Sequence, residues 1–204
     1  MIAIIDYGMG NIKSLLNAVE YLGFEGILTD KEEIINSASH IILPGVGAFG
    51  DAISKLTQKH LNEILGREVL EKGKPFLGIC LGMQLMGSRG FEDGDTLGLG
   101  LIPNPVDMFT AEEIGANKIP HIGFNLVHSK LDARLFHGLP EAADFYFVHS
   151  YRMLPEGLNG KTATCMYGTE FLAAYEQDNI YATQFHPEKS QTNGLLLLKN
   201  FLAQ

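Results

Sequence analysis

The stretch Phe76-Leu77-Gly78-Ile79-Cys80-Leu81-Gly82-Met83-Gln84 decides how this chain is read. Residues 75–79 form a short apolar run with strand character, and the pattern turns helical after Leu81. Cys80 therefore stands where a buried strand must turn sharply into a helix. Glycines lie two residues before it and two after it, at Gly78 and Gly82. A turn that tight brings those two positions close to each other, so a side chain at either is expected to collide. A helix start offers free N–H groups and a partial positive charge, both of which favour thiolate, the reactive form of cysteine. The Leu81 N–H then points to the place where an oxyanion would form. Most cysteines are small buried hydrophobes. Cys165 fits that description, in the strand-like run 162–166 with no bracketing glycines; Cys80 does not.

Upstream, short apolar runs alternate with amphipathic stretches. Ile2–Ile5 reads as a strand, followed by a helical pattern through Leu15, Leu16, Val19 and Leu22. Residues 24–29 read as a second strand, Asp30 as the cap of a short helix with Ile34 and Ile35, and residues 41–43 as a third strand closed by Pro44. Residues 51–71 carry apolar positions at helical spacing: Ile53, Leu56, Leu61, Ile64 and Leu65. This alternation implies a parallel sheet covered on both faces. Downstream the character changes. Runs at 99–102, 145–148, 162–166, 171–175 and 180–185 read as strands, Gln177-Asp178-Asn179 as a hairpin turn, and 195–202 as a closing helix. The expected fold class is α/β: a flavodoxin-like, mostly parallel sheet with helices on both faces and an antiparallel extension in the second half. No linker splits residues 1–204, so a single domain is expected.

A cysteine nucleophile needs a base, and the base needs an acceptor that orients it. Gln184-Phe185-His186-Pro187-Glu188-Lys189-Ser190 follows the last strand-like run. His186 and Glu188 are two apart at a strand end, so Glu188 can accept from one ring nitrogen and leave the other to face Cys80. The other histidines are His40, His60, His121, His128, His137 and His149, and none of them has a carboxylate two residues on. His149, in Val148-His149-Ser150-Tyr151, is the nearest rival, with substrate contact as its expected role.

Composition bounds the alternatives. The chain has 204 residues, 46% of them hydrophobic, enough for a real core, and 19% charged. A net charge of -9 argues against a nucleic-acid backbone or an anionic membrane as partner. The four-residue apolar run at the N-terminus is too short for a signal peptide or a span, so the expected location is the cytoplasm. With two cysteines, no C-x-x-C and no paired Cys/His spacing, neither a disulfide nor a metal site is expected, and no cofactor is called for.

With these motifs in hand, the chain resembles the class I (triad) glutamine amidotransferases over nearly its whole length. Residues 78–84 look like that family's nucleophile motif, His186-Pro187-Glu188 like its base motif, and Pro44-Gly45-Val46-Gly47 occupies the place of its oxyanion-hole loop. Ile5-Asp6-Tyr7-Gly8-Met9-Gly10-Asn11, Pro44-Gly45-Val46-Gly47-Ala48-Phe49, Pro120-His121-Ile122-Gly123-Phe124-Asn125 and His186-Pro187-Glu188-Lys189-Ser190 are similar to one branch of the family. Its members are the glutaminase subunits of imidazole glycerol phosphate synthases. Phe124 departs from that branch, where Trp is common, and so does Gln191, where a small residue is common. The resemblance implies Cys80 as nucleophile, His186 as acid and base, and Glu188 as orienter. It implies Gly47 and Leu81 as oxyanion donors, and Gln84, Glu92, His149, Ser150 and Tyr151 as contacts for L-glutamine. It implies a cyclase partner with a (β/α)8 barrel, which uses the ammonia in histidine biosynthesis; Lys189, Phe124 and Asn125 are the interface candidates.

Other readings of the same residues compete. Gly45-Val46-Gly47-Ala48-Phe49-Gly50 matches G-x-G-x-x-G after a strand, the dinucleotide fingerprint. That fingerprint needs an acid at the end of the next strand, and here that strand ends at Cys80. A paralogous amidotransferase serving another synthase, such as a sugar-modifying one, and a Cys-His hydrolase of γ-glutamyl peptides use the same triad. They differ in acceptor or leaving group alone.

Overall fold

In the computed structural model, which describes residues 1–10, 12–129 and 132–204, a nine-stranded sheet runs through the molecule. Five neighbouring strands are parallel, in the spatial order Gly26–Thr29, Ile2–Ile5, His40–Leu43, Phe76–Ile79, Ile180–Thr183. Four antiparallel strands extend it: Thr169–Gln177, Lys161–Tyr167, His121–Ser129 and Ala142–His149. The parallel order is the flavodoxin-like one expected.

The alternation of the first strand shows why both faces are covered. Ile2 and Ile4 pack on one side with Leu15 and Val19 of the helix Ile12–Tyr21 and with Leu197 and Phe201 of the helix Gln191–Leu202. Ala3 and Ile5 pack on the other side with Phe49, Leu56, Leu61 and Leu65. Period-2 strands buried on both faces read as continuous apolar runs, and that is the pattern of all four strands through Phe76–Ile79 apart from the partly buried Gly26–Thr29.

Several expectations need correction. The second strand begins at Gly26, not at residue 24. Asp30 caps nothing: the helix Glu32–Ser37 has Lys31 at its N-cap without a side-chain bond, and Asp30 pairs with Lys59. Residues 51–71 are not one helix. They divide into Phe49–Gln58, Leu61–Gly66 and a π-helical turn Arg67–Glu71, broken at His60, whose φ of 55° is left-handed. The apolar spacing survives the break because both pieces face the same core. Residues 99–102 are not a strand; their N–H groups go to the carbonyls that end the helix Leu81–Leu85, with Leu99 N to Leu85 O at 2.7 Å and Ile102 N to Met86 O at 2.8 Å. A small second sheet was not expected at all: Arg89–Gly90, Thr96–Leu97, Val106–Met108 and Tyr151–Met153. Among the described residues no helix is long and apolar enough to cross a membrane.

Of the bracketing glycines, Gly78 is confined by the helix as expected, since a Cβ there would sit 2.8 Å from Gly82 O and Met83 N. Gly82 is confined by something else, the Leu43 carbonyl at the end of the adjacent strand, which a Cβ would overlap. Gly82→Ala is therefore expected to destabilise the fold by ~3 kcal/mol or more, because backbone must move. Gly66→Ala is the matched control. Gly66 has helical φ/ψ (−54°, −49°) and open space at its Cβ position. It should gain up to ~1 kcal/mol. Denaturant melts of the two variants check the contrast; equal midpoints would refute it.

Candidate active site

Three adjacent parallel strands deliver the site from their carboxyl ends, where open α/β sheets place ligands. His40–Leu43 leads into the Gly45–Gly47 loop, Phe76–Ile79 into Cys80, and Ile180–Thr183 into His186. Cys80 N donates to Thr183 O at 2.7 Å, which ties the two chemically important strand ends together. Cys80 itself has φ 54° and ψ −110°. That conformation costs a side-chain-bearing residue roughly 1–3 kcal/mol and persists only where the surroundings enforce it. The helix after it, Leu81–Leu85, has five residues. Its dipole is correspondingly small, and the stronger positive charge beside the sulfur belongs to His186.

His186 is buried, at 3% exposure. Its Nδ1 lies 2.8 Å from Glu188 Oε1, and its Nε2 is buried with no hydrogen-bond partner among the described residues. Burial opposes the charged ring, but the Cys80 and Glu188 side chains beside it outweigh burial and push its pKa up to about 9. The ring is thus cationic at neutral pH. Its backbone is pinned on both sides: His186 N donates to Tyr146 O at 2.9 Å, and Ser190 Oγ donates to His186 O at 2.6 Å while accepting from Tyr146 N at 2.9 Å.

Cys80 opens into a cavity of about 450 Å³ lined by Gly47, Leu81, Gln84, Glu92, His149, Ser150 and Tyr151, among others. The structure thus places every expected substrate and oxyanion residue on the wall of the cavity that Cys80 opens into. Gln84 is not a solvated helix residue. It is 5% exposed, and its amide donates to Tyr151 O at 2.8 Å and to Gln184 Oε1 at 3.1 Å. Glu92 Oε2 accepts from Phe49 N at 2.8 Å, capping the helix that follows the glycine loop. Gly47 has φ 116°, which suits glycine alone, and a Cβ there would crowd Met9. Gly45 is packed against Tyr7, whose hydroxyl donates to Pro44 O at 3.0 Å. Both loop glycines serve close packing at the site.

Two site residues carried no sequence signal strong enough to single them out. Gln184 sends its amide toward Cys80 Sγ at 3.7 Å and is fully buried. A glutamine closing a strand of buried apolar residues is the clue that was there to be used. Tyr7 is the other. Burial, with Cys80 next to it, pushes its phenol pKa up, so it stays a neutral donor. Cys165 is buried in Lys161–Tyr167 and pushed up to about 12 by burial, an inert thiol at neutral pH.

The three interface candidates do not share one face. Phe124 is 46% exposed and packs edge-on against Tyr146, with ring centroids 5.4 Å apart. Lys189 Nζ lies 5.9 Å above the same Tyr146 ring. Asn125 points the other way, to His121. Asn11, in the first of the resembling motifs, lies outside the described residues.

The arrangement can carry out acyl transfer: a nucleophile on a strained turn, a base oriented by a carboxylate, and a cavity in front of the sulfur whose lining includes Gly47 and Leu81. The family model for class I glutamine amidotransferases matches residues 3–204. The imidazole glycerol phosphate synthase subunit HisH of Moorella thermoacetica is 47% identical over 200 residues, covering 98% of this chain and 93% of the relative. The same-named subunit of Aquifex aeolicus is 45% identical over 199 residues, covering 97% and 94%. Among solved structures, a glutamine amidotransferase superposes with a TM-score of 0.74 at 18% identity over 100% of this chain and 98% of its own. PurLQS from Thermotoga maritima gives 0.73 at 17% identity over 99% and 97%. At these identities the likeness is one of fold.

Proposed function

The chain belongs to the class I glutamine amidotransferase family, and on that premise we propose that it is the glutaminase subunit of an imidazole glycerol phosphate synthase. In this reading residues 1–204 act as one catalytic domain in the cytoplasm. The observation that carries it is Cys80 on its strained turn, beside the His186–Glu188 pair and open to a cavity large enough to admit glutamine.

The chemistry follows from the residues. The Cys80 sulfur attacks the carboxamide carbon of glutamine, and the carbonyl electrons move onto oxygen, where the Gly47 and Leu81 N–H groups are the donors available. As that oxyanion collapses to a thioester, the C–N bond breaks and cationic His186 gives its Nε2 proton to the departing nitrogen, which leaves as ammonia. Neutral His186 then takes a proton from water, whose oxygen attacks the thioester and releases glutamate. Glu92 offers a carboxylate to the substrate ammonium, and the Gln84, Ser150 and Tyr151 segment lines the pocket that holds the amino-acid end.

Ammonia freed into neutral water becomes ammonium, which is not nucleophilic. A synthetic role therefore requires a partner docked at the site, here a cyclase with a (β/α)8 barrel. The outer face of the antiparallel extension supports this reading: Ile122, Phe124, Leu126 and Met166 are exposed, with Lys189 and Tyr146 beside them. The test mixes the chain with the cyclase and its ribosyl substrate, with glutamine as the sole nitrogen source. Imidazole glycerol phosphate and aminoimidazole carboxamide ribotide should form, and Lys189→Ala should weaken coupling without touching the ammonia-dependent cyclase reaction. If no complex forms and the cyclase leaves glutamine turnover unchanged, the assignment falls to a paralogue serving another synthase.

A further inference from the structure

Between the partner-side strand and the pocket lies a run of polar side chains to which the catalytic steps above assign nothing. Asn125 Nδ2 is 2.6 Å from His121 Nε2, His121 Nδ1 is 3.0 Å from His149 Nε2, and His149 Nδ1 is 2.8 Å from Tyr151 O. His121 and His149 face each other across neighbouring strands in register. Both are buried, and His121 is clamped between the rings of Tyr167 and Phe147, with centroids 3.9 Å and 4.7 Å away.

The far end of this run sets its direction. A carbonyl oxygen only accepts, so His149 carries its proton on Nδ1. A neutral His149 then has a lone pair on Nε2, so His121 must donate from Nδ1. That leaves a lone pair on His121 Nε2, and Asn125 must present its amide N–H rather than its oxygen. Turning the Asn125 amide over would demand a proton on His121 Nε2, and with it either a doubly protonated His121 or, if His121 Nδ1 accepts, a doubly protonated His149, in a buried site. Burial opposes that state; it holds the pKa of His121 down at about 4 and that of His149 at about 3.

Tyr151 O receives a second hydrogen bond, from the Gln84 amide, and Gln84 in turn reaches Gln184 and through it Cys80. We infer that Asn125, His121 and His149 form a one-way hydrogen-bond relay that fixes the Tyr151 carbonyl and thereby the Gln84 amide at the floor of the pocket. His121 and His149 are positioning residues. With both ring nitrogens of His149 engaged, its imidazole has no hydrogen bond left to give a substrate. Asn125 is the outer end of the relay; it sits on the same strand as the exposed Phe124 but on the opposite face of the sheet, so the three hydrogen bonds run behind the face proposed for the partner. The kinetic role rests on the reading of this pocket as the glutamine site; the direction of the relay does not.

Two measurements test it. Long-range nitrogen–proton correlation spectra of the full chain with labelled histidine, between about pH 6 and 8, should show both rings neutral with the proton on Nδ1. A proton on Nε2 of either ring, or a charged ring, overturns the relay. In the complex with the cyclase, His121→Phe leaves His149 Nε2 without a donor and should raise the glutamine KM about 10-fold with kcat within about threefold. His121→Gln should restore KM, because an amide can accept from Asn125 and donate to His149. An unchanged KM in His121→Phe, or a loss that His121→Gln does not rescue, refutes the positioning role. If the wild-type chain hydrolyses no glutamine, the assignment of the pocket fails, and the spectra still decide the relay.

Discussion

Cys80→Ala is expected to lower partner-stimulated glutamine turnover at least ~10⁴-fold, while Cys165→Ala leaves it within about twofold. The two thiols are both buried, so exposure does not separate them. What separates them is surroundings. Cys80 has the His186 ring beside it and a cavity in front; Cys165 is packed in a strand where burial keeps its thiol neutral. The backbone adds a second readout, independent of turnover. At φ 54° and ψ −110° any side chain is strained, so removing the sulfur alone relieves nothing. Cys80→Gly should be as inactive as Cys80→Ala yet more stable than it by about 1 kcal/mol. Glutamine hydrolysis assays and thermal melts check both halves. Retained turnover in Cys80→Ala would end the assignment of the nucleophile.

The glycine bracket made that position legible because a sharp turn leaves a steric trace in sequence. The same holds for the parallel strands: a strand buried on both faces, such as Ile2–Ile5, must be written in apolar residues. Where the trace fails, the physical reason is visible. His121–Ser129 turns Ile122, Phe124 and Leu126 outward and His121, Val127 and Ser129 inward. Its alternation is inverted relative to a core-facing strand, and periodicity alone passes over it. The strands of the second sheet have two or three residues each, too short for any period to register. At the site, the triad and the pocket wall could be named because chemistry restricts residue type there. Gln184 and Tyr7 act through contacts to residues distant in sequence, Cys80 and Pro44, and local periodicity does not report such contacts.

His186→Ala is expected to cost ~10³–10⁴ in kcat/KM, and Glu188→Gln ~10–10². The ring supplies the proton for the leaving nitrogen and then the base for water, so its loss removes both steps. Glu188 touches neither; it accepts from Nδ1 at 2.8 Å and aims Nε2. A glutamine in its place can still accept through its carbonyl oxygen, because the carboxylate's other oxygen, Oε2, is buried with no hydrogen-bond partner among the described residues that would oblige the amide to turn over. Orientation therefore survives the change and charge does not. Glu188 is one of the groups that raise the His186 pKa to about 9, so its neutralisation must lower that value. A cationic ring is the proton donor, and activity that depends on it is lost as pH rises through its pKa. The alkaline limb of the kcat/KM profile should accordingly move to lower pH in Glu188→Gln. The profile distinguishes this account from a fold defect, which would lower activity at every pH without shifting the limb. Equal losses in the two variants, both folded, with an unmoved limb in Glu188→Gln, would mean that Glu188 does more than orient and charge the ring.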